Sequence, residues 1–178
     1  MKKKIIIYGL IAGLIVTSWM IAGMVGFKSV YLEGSMLLGY TTMLLAFSLI
    51  YVGIKNYKDT HDGIISFGKA FKIGLMITLI ASTIYVLVWM IDYFYFIPDF
   101  FEKYSAKMLA NLKANGASQA EIQKQIADSQ KYGQMYKNPF FNALFTYMEI
   151  LPVGLIVTII SALILKRKPK TENIAMAN

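Results

Sequence analysis

Four long apolar stretches, separated by shorter polar segments, dominate the hydrophobic pattern of the chain. They cover about residues 5–27, 35–54, 73–97 and 140–165. Each reaches the roughly 20 residues that a helix needs to cross about 30 Å of hydrocarbon. Because lipid cannot hydrogen-bond a bare backbone and the stretches do not alternate apolar with polar residues, the pattern predicts four transmembrane α-helices. The expected fold class is an all-α integral membrane protein.

The first apolar stretch follows three lysines and therefore has the beginning of a signal peptide. Its apolar core is longer than the usual 7 to 15 residues, and no A-x-A cleavage site closes it. We interpret it as an uncleaved membrane helix, so that residues 1–178 form a single membrane domain.

The long loop between the third and fourth helices, about residues 98–138, is predicted to form a helical hairpin. Apolar residues recur at three- and four-residue steps over residues 101–112, which indicates an amphipathic helix. Ser118 and Glu121 have the spacing of a capping box and predict the start of a second helix. The apolar stripe of this second helix is thin, so a solvated spacer is the alternative.

The distribution of basic residues predicts the orientation in the membrane. With the N-terminus inside, the cytoplasmic segments carry eleven Lys and Arg residues, including a basic tail at 166–178, and the outer segments carry seven. Positive charge is favoured on the cytoplasmic side. We expect a multi-pass protein of the bacterial inner membrane with both termini cytoplasmic and the hairpin outside.

Composition narrows the possible functions. Hydrophobic residues make up 57% of the chain and charged residues 16%, which is too apolar for a soluble surface. The net charge of +8 comes from basic residues at the ends of apolar stretches, so no nucleic-acid partner is expected. The chain has no cysteine, and its single histidine, His61, lies in a polar turn between Asp59 and Asp62. We expect no catalytic motif, no cofactor and no metal site.

Two carboxylates lie inside the apolar stretches and form the candidate ion or proton site. Asp92, near the outer end of the third helix, is in phase with Gly74 and close to the phase of Tyr85. Glu149 is expected at a similar depth on the fourth helix. Three interpretations stay open: an interfacial aspartate, a shared ion or proton site of Asp92, Glu149 and Tyr85, and a structural contact with a loop lysine.

Small residues at four-residue steps predict close helix packing. The first helix has Gly9 and Gly13, and the third has Gly74, Thr78 and Ser82. Small side chains let helix backbones approach in lipid. The rows suit packing within one chain, and a homodimer is the alternative.

Several short motifs resemble those of a known family. The segment "GIISFGKAF", the helix "ITLIASTIYVLVWMIDY" and the following "IPDFFEKY" resemble a bacterial family of small membrane proteins, domain of unknown function 4199. The resemblance covers essentially the whole chain and implies four membrane helices with a long helical loop between the third and fourth. It implies no reaction.

These observations lead to two functional hypotheses. The first is a non-enzymatic subunit, scaffold or modulator that contacts a membrane or periplasmic protein, or a second copy of itself. The second is a small oligomeric ion or solute conductor that uses Asp92 and Glu149.

Overall fold

The structure, a computed structural model, describes residues 2–24 and 36–167 of the chain. This part consists of α1 (Lys2–Met24), α2 (Met36–Asp59), α3 (Phe67–Ile91), a π-helical turn (Asp92–Phe96), α4 (Phe100–Ala114), α5 (Gln119–Tyr136) and α6 (Pro139–Leu165). It contains no β-strand, so the predicted all-helical class is confirmed. The predicted first loop around residues 28–34 and the basic tail beyond residue 167 lie outside the described residues.

Three helical segments of the described chain are long and apolar enough to cross a membrane. They are Lys2–Ala22, Phe67–Phe96 and Pro139–Leu165, with 21, 30 and 27 residues. At 1.5 Å per residue each can span about 30 Å of hydrocarbon. The architecture is therefore compatible with a multi-pass membrane protein. The third predicted helix begins at Phe67, six residues earlier than the apolar pattern indicated, and its first turns include Lys69 and Lys72.

The helices form two compact units in the described residues. The first contains what is described of residues 1–16, 34–84 and 150–178, and the second what is described of residues 17–33 and 85–149.

In the first unit, α1 packs against α3 through glycine. A Cβ built on Gly9 would lie 2.7 Å from the Cβ of Ile80, and one built on Gly13 would lie 2.5 Å from the Cδ1 of Ile84. Both contacts advance by four residues along the two helices, so α1 and α3 run parallel. The predicted small-residue pair on α1 thus faces another helix of the same chain.

The closest approach in the first unit is between α3 and α6. A Cβ on Gly74 would lie 2.7 Å from Thr158 Cγ2, and one on Gly154 would lie 2.4 Å from Thr78 Cγ2. The two threonine hydroxyls are hydrogen-bonded at 3.0 Å, and Thr78 Oγ1 also donates to the Gly154 carbonyl at 3.3 Å. These two helices run antiparallel, because Gly74 and Thr78 meet α6 in reverse order.

The polar ends of four helices meet at one end of the first unit. Lys4 Nζ, at the start of α1, donates to Asn56 Oδ1 near the end of α2 at 2.8 Å. Ile65, just before α3, forms an isolated antiparallel bridge with Arg167, just after α6. The start of α1 and the end of α6 therefore lie at the same end of this unit.

The second unit contains the hairpin formed by α4 and α5. α4 ends in a Schellman motif: the Gly116 N–H donates to Lys113 O at 3.1 Å, and the Ala117 N–H donates to Leu112 O at 3.0 Å. Gly116 has a φ of +73°, which glycine adopts without steric cost. Ser118 and Glu121 form the predicted capping box at the start of α5.

The two hairpin helices are amphipathic but only shallowly packed. Neither contains a fully buried residue. Of the predicted apolar stripe of α4, Phe101 and Leu112 are half-buried, whereas Tyr104 and Met108 are exposed. A hairpin with so small a core needs contacts with other elements of its unit to hold its position.

The packing in the first unit predicts the effect of adding one methyl group at Gly9. The Cβ of Ile80 cannot move away by a rotamer change, so Gly9→Ala should lower the free energy of unfolding by about 1–3 kcal/mol. The measurement is thermal unfolding of the purified protein in neutral detergent, followed by circular dichroism.

The matched control is Gly68→Ala, also in a helix, where an added Cβ meets nothing within 4 Å. It should keep or raise the melting temperature, since alanine favours helix over glycine. Equal melting temperatures for the two variants would contradict the packing of α1 on α3.

Candidate functional site

Asp92 lies at the end of a buried stripe along α3. The stripe follows three- and four-residue steps through Ala70, Ile73, Gly74, Ile77, Thr78, Ala81, Ser82, Tyr85, Val86, Trp89 and Asp92. The Asp92 side chain is 0% exposed and that of Tyr85 is 3% exposed. Asp92 thus has the helical phase expected from the sequence, and it is enclosed by protein.

The backbone around Asp92 forms a π-helical turn that the sequence analysis did not predict. The Ile97 N–H donates to the Asp92 carbonyl at 2.9 Å, five residues back. Pro98 has no N–H to extend an α-helix and disfavours helical backbone at the preceding residue, and Ile97 has φ −134° and ψ 54°. The wider turn ends the helix and carries Asp92 at its first position. Such turns are frequent at functional sites.

Glu149 has a different environment from Asp92. The buried row of α6 follows four-residue steps through Asn142, Thr146, Ile150, Gly154, Thr158 and Ala162, and Glu149 is exposed beside it. Each four-residue step advances about 40° beyond a full turn of an α-helix. The buried row therefore winds around α6, and at Ile150 it lies on a different side of the helix from Glu149. Glu149 therefore does not share the buried face of Asn142, although the two are nearly in phase. Its pairing with Asp92 stays a prediction.

A cluster of aromatic rings in the second unit joins the end of α3 and the π-helical turn to α4, α5 and α6. We call it the aromatic cluster; it consists of Trp89, Tyr93, Phe100, Phe101, Tyr136 and Phe145. The Trp89 indole meets Phe100 edge to face at 5.1 Å between centroids. Ring pairs of this kind contribute about 0.5–1.5 kcal/mol each beyond area burial. The cluster supplies the support that the shallow core of the hairpin lacks.

Tyr136, the last residue of α5, is the centre of the aromatic cluster. Its ring stacks on Phe145 at 5.5 Å and contacts Phe101 at 5.1 Å and Tyr93 at 5.9 Å. Burial, with a smaller contribution from the negative charge of Glu149, raises the pKa of Tyr136 to about 12. Tyr136 is thus held as a neutral phenol, in electrostatic reach of Glu149 and in ring contact with the residue that follows Asp92.

Not every aromatic residue near Asp92 belongs to the cluster. Trp89 and Tyr93 are buried, whereas Tyr95, two residues further along the chain, is 81% exposed. The many aromatic residues near the two ends of the hairpin are the feature of the sequence that could indicate the cluster. Which rings pair depends on how α3, α4, α5 and α6 pack together.

The remaining predicted residues lie in the first unit. Gly9, Gly13, Gly74 and Thr78 make the helix contacts described above, and Ser82 is fully buried with its hydroxyl unpaired. The single histidine stacks on Tyr57 at 3.9 Å between centroids. Within the described part of the chain, no three histidine or carboxylate side chains gather as metal ligands would.

These features define an all-helical protein with several helices able to span a membrane and a helical hairpin held by aromatic contacts. A family model described as "Protein of unknown function (DUF4199)" matches residues 7–167, and the chain belongs to this family. A search of the curated proteins finds no match, and a search of the solved structures finds none either.

The raised pKa of Tyr136 predicts a stability change at alkaline pH. The folded state holds the phenol proton more tightly than the unfolded chain, so the resulting stabilisation is complete below pH 10 and is lost as the pH rises towards 12. Over this interval the melting temperature of the wild type should fall more steeply than that of Tyr136→Phe, which keeps the ring and loses the titrating group.

The control is Tyr95→Phe, which removes the hydroxyl of an exposed ring and should follow the wild type. Parallel curves for the wild type and Tyr136→Phe would show that the Tyr136 hydroxyl is not buried in the folded protein.

Proposed function

We propose that this protein is a non-enzymatic, multi-pass protein of the bacterial inner membrane that acts as a subunit, scaffold or modulator of a membrane or periplasmic partner. The α4–α5 hairpin is the binding element. One arrangement carries the proposal. The aromatic cluster anchors the hairpin to the end of α3 and to α6 within the second unit, while neither hairpin helix contains a fully buried residue.

The proposed topology has four membrane helices and both termini in the cytoplasm. α2, with 24 residues from Met36 to Asp59, is the fourth span beside the three long apolar helices. Lys4 at the start of α1 contacts Asn56 near the end of α2, and Ile65 before α3 pairs with Arg167 after α6. The chain thus returns to the same end of the first unit, which supports an even number of membrane crossings. The excess of basic residues at this end supports its placement in the cytoplasm.

The surface of the hairpin supports a role in binding a protein over a role as a solvated spacer between membrane helices. Two exposed ion pairs lie at its base, Lys103 with Asp99 at 2.7 Å and Lys137 with Glu102 at 3.6 Å, so its charges there are partly neutralised. Tyr104, Met108 and Tyr132 are exposed, each by more than 40%. Exposed aromatic and methionine side chains on a fixed support are common in protein interfaces, because little conformational entropy is lost on binding.

Removal of the hairpin tests the proposal. Because the rings of Phe101 and Tyr136 are in contact, residues 103–134 can be replaced by a short Gly–Ser linker without separating the helix ends. A partner that co-purifies with the full chain at constant stoichiometry should be lost from this variant. Quantitative mass spectrometry of native-membrane extracts measures the loss, and a retained melting transition shows that the shortened chain folds.

Cysteine labelling supplies the matched topology control. Lys124→Cys in the hairpin should react in intact cells with a membrane-impermeant maleimide, whereas Asp59→Cys at the end of α2 should react only after lysis, both positions being exposed. Unchanged co-purification without the hairpin, or labelling of Asp59→Cys from outside, would contradict the proposal.

The burial of Asp92 favours a second candidate function, a small oligomeric ion or solute conductor. A fully buried aspartate in a membrane helix is costly, and such residues commonly serve ion or proton pathways. The exposure of Glu149 makes Asp92 the more important of the two acids in this hypothesis.

Proton flux into proteoliposomes tests whether the protein conducts ions and whether conduction requires Asp92. Flux above that of empty liposomes, reduced at least tenfold in Asp92→Asn and retained in Lys124→Gln, would support conduction. Glu149→Gln should have the smaller effect of the two acid substitutions. Wild-type flux equal to that of empty liposomes, or unchanged in Asp92→Asn, would eliminate conduction through this residue.

A further inference from the structure

A cleft of about 180 Å³ opens at the basic end of the first unit. It lies among the start of α1, the end of α2 and the first turns of α3. Its polar side is formed by Lys4, Asn56, Tyr57, Thr60 and His61. Since one water occupies about 30 Å³ of liquid volume, the cleft can hold a group of several heavy atoms.

Lys4 is held in place at this cleft. Its ammonium group donates to Asn56 Oδ1 at 2.8 Å, and an ammonium group has three N–H donors. Two of its donors therefore stay available for a ligand. The Asn56 oxygen accepts from Lys4, so the amide NH₂ of the same side chain adds further donors. Both residues thus offer donors at the cleft, and neither offers a negative charge.

The ring of His61 is oriented by a hydrogen bond to the backbone of α2. Its Nδ1 lies 2.9 Å from the Tyr57 carbonyl, which can only accept, so Nδ1 carries the hydrogen. In the neutral ring Nε2 then has only a lone pair, so it donates to an anion only when the ring carries a second proton. The ring stacks on Tyr57, and the Lys69 ammonium lies 5.7 Å from the centre of the same tyrosine ring, within the range of a cation–π contact. A second cation is thereby held close to the residues of the cleft.

The charge at this end of the unit is strongly positive and uncompensated. Nine basic residues stand against the two acids Asp59 and Asp62; the nine are Lys2, Lys3, Lys4, Lys55, Lys58, Lys69, Lys72, Lys166 and Arg167. Within the described residues of this unit, none of the nine forms an ion pair with a carboxylate. An anion entering the cleft would therefore meet cations that no protein group neutralises.

We propose that this cleft binds a phosphate group, that of an anionic phospholipid. The lining also includes the apolar side chains of Ile5 and Ile73 and the ring of Tyr8, which suit the glycerol and upper acyl chain of a lipid. Lys4 and Asn56 donate to the phosphate, and Lys69, held over the Tyr57 ring, adds a second positive charge nearby. The proposal rests on the membrane placement in the proposed function but not on the partner of the hairpin.

The test measures binding of phosphatidylglycerol to the full-length protein in neutral detergent, by the rise in melting temperature on lipid titration. Phosphatidylcholine micelles are the reference. Lys4→Gln and Asn56→Leu should each raise the apparent Kd for phosphatidylglycerol about tenfold, the first by removing a charge and the second by removing an uncharged partner. Lys2→Gln removes the same charge from an exposed residue outside the cleft and should change the Kd less than twofold.

Titration with soluble phosphates shows whether the cleft binds a lipid headgroup or a free phosphate ion. Glycerol 3-phosphate and inorganic phosphate should bind at least tenfold more weakly than phosphatidylglycerol; equal affinity for inorganic phosphate would overturn the assignment to a lipid. Equal losses in Lys4→Gln and Lys2→Gln would overturn the cleft itself, since binding would then follow net charge alone. The hairpin-deleted chain should bind phosphatidylglycerol normally, so failure of the partner hypothesis and failure of this one are distinguishable.

Discussion

The close approach of helix backbones at small side chains is the constraint on which the first unit depends. Lipid tails are as apolar as leucine, so the hydrophobic effect does not press membrane helices together, and contact distance matters more than area. At Gly74 and Gly154, α3 and α6 come so near that an added Cβ would fall within 2.4–2.7 Å of a threonine methyl group. The hydrogen bond of Thr78 with Thr158 exists because of this proximity. A larger residue at either glycine would therefore separate the helices and also leave buried hydroxyls without partners, which costs far more in a low-dielectric interior than in water.

The second unit is held together by large side chains instead of small ones. The hairpin formed by α4 and α5 has no fully buried residue, so its own helix contacts cannot hold it in one position. The aromatic cluster compensates, because each ring contributes a large contact area while losing little rotational freedom. Tyr136 joins α5 to the π-helical turn, α4 and α6 through its ring contacts, and the burial that results raises the pKa of its hydroxyl. Capping at Ser118 and the Schellman motif at Gly116 set the ends of the helices, while the rings set where the helices lie.

The basic end of the first unit and the hairpin differ in charge, and this difference supports both the lipid-binding proposal and the partner-binding proposal. The basic end of the first unit carries nine cations against two acids, whereas the hairpin segment has six lysines against the four acids Asp99, Glu102, Glu121 and Asp128. Two of those acids are already paired with lysines. Uncompensated positive charge suits an anionic membrane surface, and a mixed surface suits a protein partner, since like-charge repulsion is low there. Asp92 stands apart from both, as a buried acid at a π-helical turn.

Local properties of the sequence determined the helices, because length of apolar stretch, capping spacing and four-residue steps act within one or two turns. The all-helical class, the capping box, the helical phase of Asp92 and the small residues of α1 and α3 follow from such patterns. The tertiary structure decided which surfaces those residues meet: Ile80 and Ile84 for the glycines of α1, and the aromatic cluster for the hairpin. It also decided that Glu149 is exposed. The face of α6 that is buried depends on which helices pack against it, and the spacing of the polar residues along α6 does not determine that face. Contacts between residues far apart in the chain leave no periodic signal in a single sequence, which is why the cleft at Lys4 and His61 appears only when three helix ends are brought together.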